Sequence, residues 1–270
     1  MRNSSNNRSL VNIIGIPVIL ISIYYDFLFL FTILIILIFS SVEYSKMISK
    51  LNANISILIL SLFNLIFFLN AYFGFFSPLN LIISFFILFF LYEILFYNYS
   101  SVQNIAFYFM GIFWIGCCLC SSLLFIREMT HGFYFTYLLF ISIWICDTFA
   151  FFFGSKFGNR KILPIISPNK TWVGSICGLI GSFVIFFSFY LLNIKYQFNI
   201  NLIVTDIVAL SIITGIIGQI GDFSESLIKR QADIKDTSSF LMGHGGFLDR
   251  FDSLAFAAPA YYMYISAFII

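Results

Sequence analysis

Nine apolar runs follow one another from residue 11 to residue 270, and they restrict this chain more than any other feature. They lie near 11–25, 27–41, 55–72, 81–97, 105–126, 133–153, 174–193, 202–220 and 254–270. A helix needs about 17–25 mostly apolar residues to cross the hydrocarbon, where every backbone N–H and C=O must be satisfied internally. The runs therefore predict an all-α, polytopic integral membrane protein with about nine transmembrane or re-entrant helices. The first two runs are short and separated only by Asp26, so they read as a re-entrant pair or as two spans. Either way they return the chain to its starting side. Charged residues make up only 10% of the chain, against about 25% in water-soluble domains. This excludes a soluble globular enzyme, a disordered protein and a secreted disulfide scaffold. A net charge of +2 supplies no basic field for nucleic acid. The five cysteines all fall in apolar runs, and the C-x-x-C of Cys117 and Cys120 has no second pair, which reads as small buried hydrophobes.

The basic residues set the expected topology. If each run reverses direction, one side holds Arg2, Arg8, Lys46, Lys50, Lys156, Arg160, Lys161, Lys170, Lys229, Arg230, Lys235 and Arg250. The other holds only Arg127 and Lys195. This asymmetry predicts that the richer side is cytoplasmic. Fusing the first two runs would scatter the basic residues over both faces. No tandem repeat or Pro/Ser-rich linker divides the chain, so residues 1–270 read as a single membrane domain. N-terminal helices would occupy 11–126 and a C-terminal catalytic half about 133–270.

Two long polar stretches, 154–173 and 221–253, share the cytoplasmic side and mix both signs of charge. Asp222, Ser226 and Lys229 fall at i, i+4 and i+7, which places them on one face if the helix of 202–220 continues past the membrane surface. Asp249 and Asp252 are three apart at the start of the last helix, preceded by Gly245 and Gly246, which allow a sharp turn and a close backbone approach. Carboxylates interleaved with Lys and Arg suit a metal-bound polyphosphate. Mg²⁺ takes one or two carboxylates with phosphate oxygens, and the cations neutralise the remaining phosphate charge. A structural ion-pair cluster at the membrane surface is the competing reading. Upstream, Asp147 lies about two turns inside its run, where an unpaired acid costs about 2.5–3.5 kcal/mol on insertion scales. That cost argues for a bound cation or a lysine partner. Pro168 disfavours helix at Ser167, so Lys170 is expected on a turn leading into the next run. Asp26, Glu43, Glu93, Asp206 and His131 read as structural.

The run from Ser226 to Asp252, S-L-I-K-R-x4-K-D-x-S-x5-H-G-G-F-L-D-R-F-D, resembles the signature of phosphatidate cytidylyltransferases, the CDP-diacylglycerol synthases. Gly221-Asp222, Asp147-Thr148-x-Ala150 and Ser167-Pro168-x-Lys170-Thr171-Trp172 match the same family in order and spacing. The resemblance covers about residues 140–255. Four positions depart from it. Met242 stands for a usual Pro, Val173 for Glu or Gln, Ser155 for Arg or Lys, and Ser238 for a small residue that is often Gly. None removes a carboxylate or lysine of the C-terminal signature.

The resemblance implies a nucleotidyltransferase of phospholipid biosynthesis that makes CDP-diacylglycerol and pyrophosphate from CTP and phosphatidate. It implies Asp222, Lys229, Asp249 and Asp252 as catalytic residues. Lys170, Ser226, Arg230, Lys235, Asp236, His244 and Arg250 would contact substrate, and Asp222, Asp249 and Asp147 would hold metal. Carboxylate ligands favour Mg²⁺ over Zn²⁺, with room for a second cation. The implied partners are the two substrates, membrane lipids and a second copy of the chain in a homodimer, with no nucleic acid. The implied setting is a bacterial inner membrane, with the site facing the cytoplasm. A transporter would place its charges at mid-helix depth, and the D-G-x-x-A-R pattern of CDP-alcohol phosphotransferases is absent. A relative acting on an isoprenoid or other lipid phosphate remains open.

Overall fold

The computed structural model describes residues 15–96, 101–240 and 245–270. His244, Met242, Arg2 and Arg8 lie outside them. The described residues form helices α1 (Gly15–Tyr24), α2 (Asp26–Ser49), α3 (Ile57–Phe73), α4 (Pro78–Leu95), α5 (Ser101–Glu128), α6 (Gly132–Phe157), α7 (Trp172–Tyr196), α8 (Val204–Gln231) and α9 (Leu248–Phe268). Each corresponds to one apolar run. The helices α2, α4, α5, α6, α7 and α8 are long and apolar enough to cross a membrane, whereas α1 and α3 are shorter apolar helices. The chain is an integral membrane protein of all-α class.

The helix boundaries have local causes. The break between α1 and α2 is a single extended residue, Tyr25 (φ −109°, ψ 119°). Beyond it α2 runs 24 residues, well past the expected end at 41, because Tyr44, Met47 and Ile48 keep one face buried. Ser56 and Ser77 cap α3 and α4 by accepting from Ile59 N and Asn80 N, and Pro78 starts α4 where no intrahelical N–H is needed. Inside α5, Ile112–Ser121 is π-helical, and the hydroxyls of Ser121 and Ser122 donate to carbonyls five residues back. The only strands among the described residues form an antiparallel hairpin, Lys161–Leu163 (β1) with Ser167–Thr171 (β2), paired Lys161↔Thr171 and Leu163↔Ser167. Lys170 therefore sits on a strand rather than on the expected turn. Pro168 fits there because β2 is an edge strand, where a missing N–H costs nothing.

The chain divides into two compact units, the first built from the described residues up to Leu124 with Ile228–Phe251, the second from Phe125–Leu227 with Asp252–Ile270. In the first, aromatic rings fill the contacts of α3, α4 and α5. Phe63 meets Phe85 edge-on, and Phe89 stacks on Tyr108 at 4.7 Å. Buried polar groups tie the same helices together. Asn64 donates to Ser41 Oγ, Ser56 N donates to Tyr108 Oη, and Asn104 bridges Asn54 N and Glu93.

In the second unit, α6 and α7 approach along Gly174, Gly178 and Gly181. A Cβ at these positions would lie 2.6 Å from Ala150 O, 2.9 Å from Cys146 Sγ and 3.0 Å from Phe149 Cγ. Small residues at this spacing let membrane helices pack backbone to backbone, where lipid offers no hydrophobic gain for association. Gln219 of α8 closes the third side, donating to Gly215 O and Ser175 O. Asp206, at the start of α8, accepts from Ile203 N and from Tyr264 of α9.

Candidate functional site

In the first unit the signature residues Lys229 and Asp249 form a buried ion pair, Nζ to Oδ1 at 2.6 Å, with side chains 10% and 6% exposed. Lys229 comes from the last turns of α8 and Asp249 from the first turn of α9. The other carboxylate oxygen, Asp249 Oδ2, accepts from Gly246 N (2.7 Å), Thr237 N (2.9 Å) and Thr237 Oγ1 (2.7 Å). Burial pushes the Asp249 carboxyl upward. The Lys229 ammonium and the bonds from Gly246 and Thr237 outweigh burial and hold it below the usual carboxylate range. The group is an anion at neutral pH. Gly245 adopts φ +79°, and a Cβ there would fall 2.4 Å from Asp249 Oδ2, so the turn needs glycine for both reasons.

The same segment meets Glu43, which the sequence reading took as structural. Glu43, 4% exposed on α2, accepts from Ser238 Oγ (2.7 Å), Phe247 N (3.0 Å), Leu248 N (2.8 Å) and Thr237 Oγ1 (3.2 Å). An acid held near the end of an apolar helix was the available signal, but Glu93 and Asp206 give the same signal without touching the signature.

In the second unit Lys170 and Asp222 form an ion pair, with side chains 29% and 23% exposed. The Lys170 ammonium also lies 4.7 Å from the centroid of the Phe223 ring. Thr171, next to Lys170, caps α7 by accepting from Gly174 N, and its hydroxyl packs into the gap left by Gly154 and Gly158. The hairpin and the glycine contact thus set where Lys170 stands. Asp252 is buried and accepts from its neighbour Ser253 N, and Gly221 brings α8 close to the backbone of Asp252, where a Cβ would fall 2.5 Å from its carbonyl oxygen. Asp147 is exposed on α6, which extends to Phe157 and so leaves Asp147 about three turns from the helix end.

The remaining expected residues are placed as follows. Ser226 is buried, and Lys235, Asp236 and Arg250 are exposed. Arg230, also exposed, donates to Ile234 O. His244 falls outside the described residues. As expected, α8 carries Asp222, Ser226 and Lys229 on one continuous helical stretch, Gly218–Gln231. Among the described residues no three His, Cys, Asp or Glu side chains gather as a metal-binding group. Of the expected metal ligands, Asp147 and Asp222 belong to the second unit and Asp249 to the first. Asp222 and Asp249 are each engaged by a lysine.

Residues 6–268 match the model of the cytidylyltransferase family. The chain is similar to the phosphatidate cytidylyltransferase of Staphylococcus aureus (strain COL), with 35% identity over 168 residues, 62% of this chain and 62% of that protein. The Staphylococcus haemolyticus protein of the same name is 37% identical over 170 residues, again 62% of each chain. That of Haemophilus influenzae is 39% identical over 145 residues, 52% of this chain and 48% of its own length. The chain thus spans somewhat less than two thirds of the length of the curated relatives it matches.

Proposed function

Because the chain belongs to the cytidylyltransferase family, we propose that it converts CTP and phosphatidate to CDP-diacylglycerol and pyrophosphate. The observation that carries this reading is the Lys229–Asp249 pair, buried and bonded on every side by the segment that bears the family-like signature. A buried lysine needs its counter-ion, and exchange of that counter-ion for a phosphate oxygen would release it to an anionic substrate. The similarity to proteins named phosphatidate cytidylyltransferase supports the choice of substrates.

In the reaction a phosphatidate oxygen attacks the α-phosphorus of CTP, the bond from that phosphorus to the β-phosphate bridging oxygen breaks, and pyrophosphate leaves with the electron pair. The nucleophile is already an anion near neutral pH, so no strong general base is required. The difficulty is to bring two polyanions together, which is a task of positioning and charge neutralisation. Lys229 and Lys170 are cations held by carboxylate partners. Arg230, Lys235 and Arg250 are further cations with exposed side chains.

Mg²⁺ is part of this proposal. It requires only one or two protein carboxylates with phosphate oxygens and water. The partly exposed Asp222 fits the role of such a single ligand. Asp249 fits it only by giving up Lys229, and this exchange is where a second cation would enter. When bound, Mg²⁺ would neutralise triphosphate charge. We place the protein in a bacterial inner membrane with both polar stretches facing the cytoplasm. The distribution of basic residues and the bacterial relatives support this. Association into a homodimer is the corresponding proposal for assembly.

The test is product formation by the purified chain with labelled CTP, phosphatidate and Mg²⁺. CDP-diacylglycerol supports the reading. A CDP-lipid formed only when phosphatidate is replaced by an isoprenoid phosphate reassigns the lipid, and no CTP binding overturns the reading.

A further inference from the structure

We propose that Glu43 is a positioning residue for the reaction. From α2 it fixes the Gly245-Gly246 turn and the first turn of α9, and through them the Asp249 carboxylate. The inference rests on the catalytic reading above and concerns the first unit alone.

The four donors of Glu43 come from Thr237, Ser238, Phe247 and Leu248, and Thr237 and Gly246 beside them also bond Asp249. Two of them, Phe247 N and Leu248 N, stand at the N-terminus of α9, where backbone N–H groups have no intrahelical acceptor and a carboxylate is favoured by the helix dipole. Each carboxylate oxygen of Glu43 meets one of these backbone groups, Oε1 with Phe247 N and Oε2 with Leu248 N. The Thr237 hydroxyl stands between the two acids, 2.7 Å from Asp249 Oδ2 and 3.2 Å from Glu43 Oε2, so a shift of either carboxylate is felt by the other. The glycine turn is threaded between them. A Cβ on Gly245 would strike Asp249 at 2.4 Å, and one on Gly246 would strike the Glu43 carboxyl at 2.3 Å. One turn before Glu43 on α2, Phe39 stacks on the ring of Phe247 at 4.8 Å and holds the same residue by its side chain.

Glutamine cannot replace Glu43 in this role. Its amide offers one oxygen, so one of the two backbone N–H groups would face an NH₂. Glu93 supplies a matched comparison, because it is an equally buried acid of the same unit (3% exposed) and accepts from Asn104 rather than from the signature segment.

The experiment compares Glu43→Gln and Glu93→Gln in the purified full chain, measuring CDP-diacylglycerol formation, thermal unfolding and amide exchange over residues 237–248. Glu43→Gln should lower kcat about tenfold or more while KM for CTP stays within about threefold, the pattern of a group acting on the reacting arrangement rather than on binding. Exchange at Phe247 and Leu248 should accelerate by about tenfold. Glu93→Gln should keep a near wild-type kcat whatever its effect on unfolding. Wild-type kcat in Glu43→Gln overturns the proposal, as does an equal loss of kcat in both variants that follows their stability. If the wild type makes no CDP-diacylglycerol, the catalytic reading falls, and exchange still tests the clamp, since unchanged exchange in Glu43→Gln would refute it. If Glu43→Gln does not fold, Ser238→Ala removes one donor to Glu43, and unaltered kcat and exchange there overturn the proposal.

Discussion

Asp249→Asn tests the centre of the site. Asparagine keeps the shape of Asp249 but has a single oxygen, while Asp249 accepts from four donors at 2.6–2.9 Å. With its oxygen in the Oδ2 position, Asn keeps the bonds from Gly246 N, Thr237 N and Thr237 Oγ1. Its NH₂ then faces the Lys229 ammonium, donor against donor. The reverse orientation satisfies Lys229 but sets NH₂ against two backbone N–H groups, which is worse. The first orientation wins, and its cost is a broken pair whose side chains are only 10% and 6% exposed. Removing one partner of a buried pair costs about 3–5 kcal/mol. Retention of three bonds puts the expected loss at the lower end, about 3 kcal/mol. The second effect is chemical. On the proposed reading Asp249 sets the position of the Lys229 ammonium, and misplacing that cation should lower kcat by about 10²-fold. Thermal unfolding in detergent reads the first effect, and CDP-diacylglycerol formation from labelled CTP reads the second. A variant that unfolds like wild type would refute the burial argument. One that makes product within about twofold of the wild-type rate would refute the site.

Lys170→Met should lower product formation at least about tenfold with little effect on stability. Its partly exposed pair with Asp222 implies a stability change of under about 1 kcal/mol, so a large drop in unfolding temperature would contradict the reading. Gly245→Ala must take a side chain at φ +79° against Asp249 Oδ2, so it should cost about 1–2 kcal/mol in strain and abolish most activity; unchanged activity would show that the turn can move. Gly178→Val should destabilise the second unit by about 1–3 kcal/mol, because its Cβ meets Cys146 Sγ at 2.9 Å and Cys146 O at 3.0 Å. Gly15→Ala, with nothing within 4 Å, is the neutral comparison in the same unfolding assay. Chelation of divalent cations should stop product formation and added Mg²⁺ should restore it, whereas full activity in chelator would exclude the metal.

The helices were legible because hydrocarbon imposes a length on apolar runs, and among the described residues each run coincides with a helix. Their ends were less legible. Helices α2, α6 and α8 run on to Ser49, Phe157 and Gln231 because polar residues continue a helix as readily as apolar ones once it has started. The hairpin of β1 and β2 is only a few residues long and carries Pro168, so no alternation marked it. The π-helical turns of α5, accompanied by hydroxyl bonds of Ser121 and Ser122 to carbonyls five residues back, are not encoded in hydrophobic periodicity. The Lys229–Asp249 pair of the first unit and the Lys170–Asp222 pair of the second joined residues that the sequence reading had already singled out. What it could not supply was the pairing itself, since each acid faced several cations of equal plausibility.

Glu43 shows why a signature read along the chain is incomplete. Glu43, just past the end of an apolar run, and Glu93 and Asp206, inside two others, look alike along the chain. Folding separates them by the origin of their donors. Asp206 takes one from three residues before it and one from Tyr264 near the chain's end. Glu93 takes its bond from Asn104, eleven residues away. Glu43 takes its bonds from residues about two hundred positions distant, all inside one short segment. Burying a carboxylate is costly unless hydrogen bonds offset it, so each acid must find donors, and of the three Glu43 alone shares one, the Thr237 hydroxyl, with Asp249. The cost of the buried charge and the precision of the Asp249 carboxylate are therefore linked through Thr237 and the two glycines. On the proposed reading, a substitution at position 43 should therefore act on the reaction although the residue lies far outside the motif.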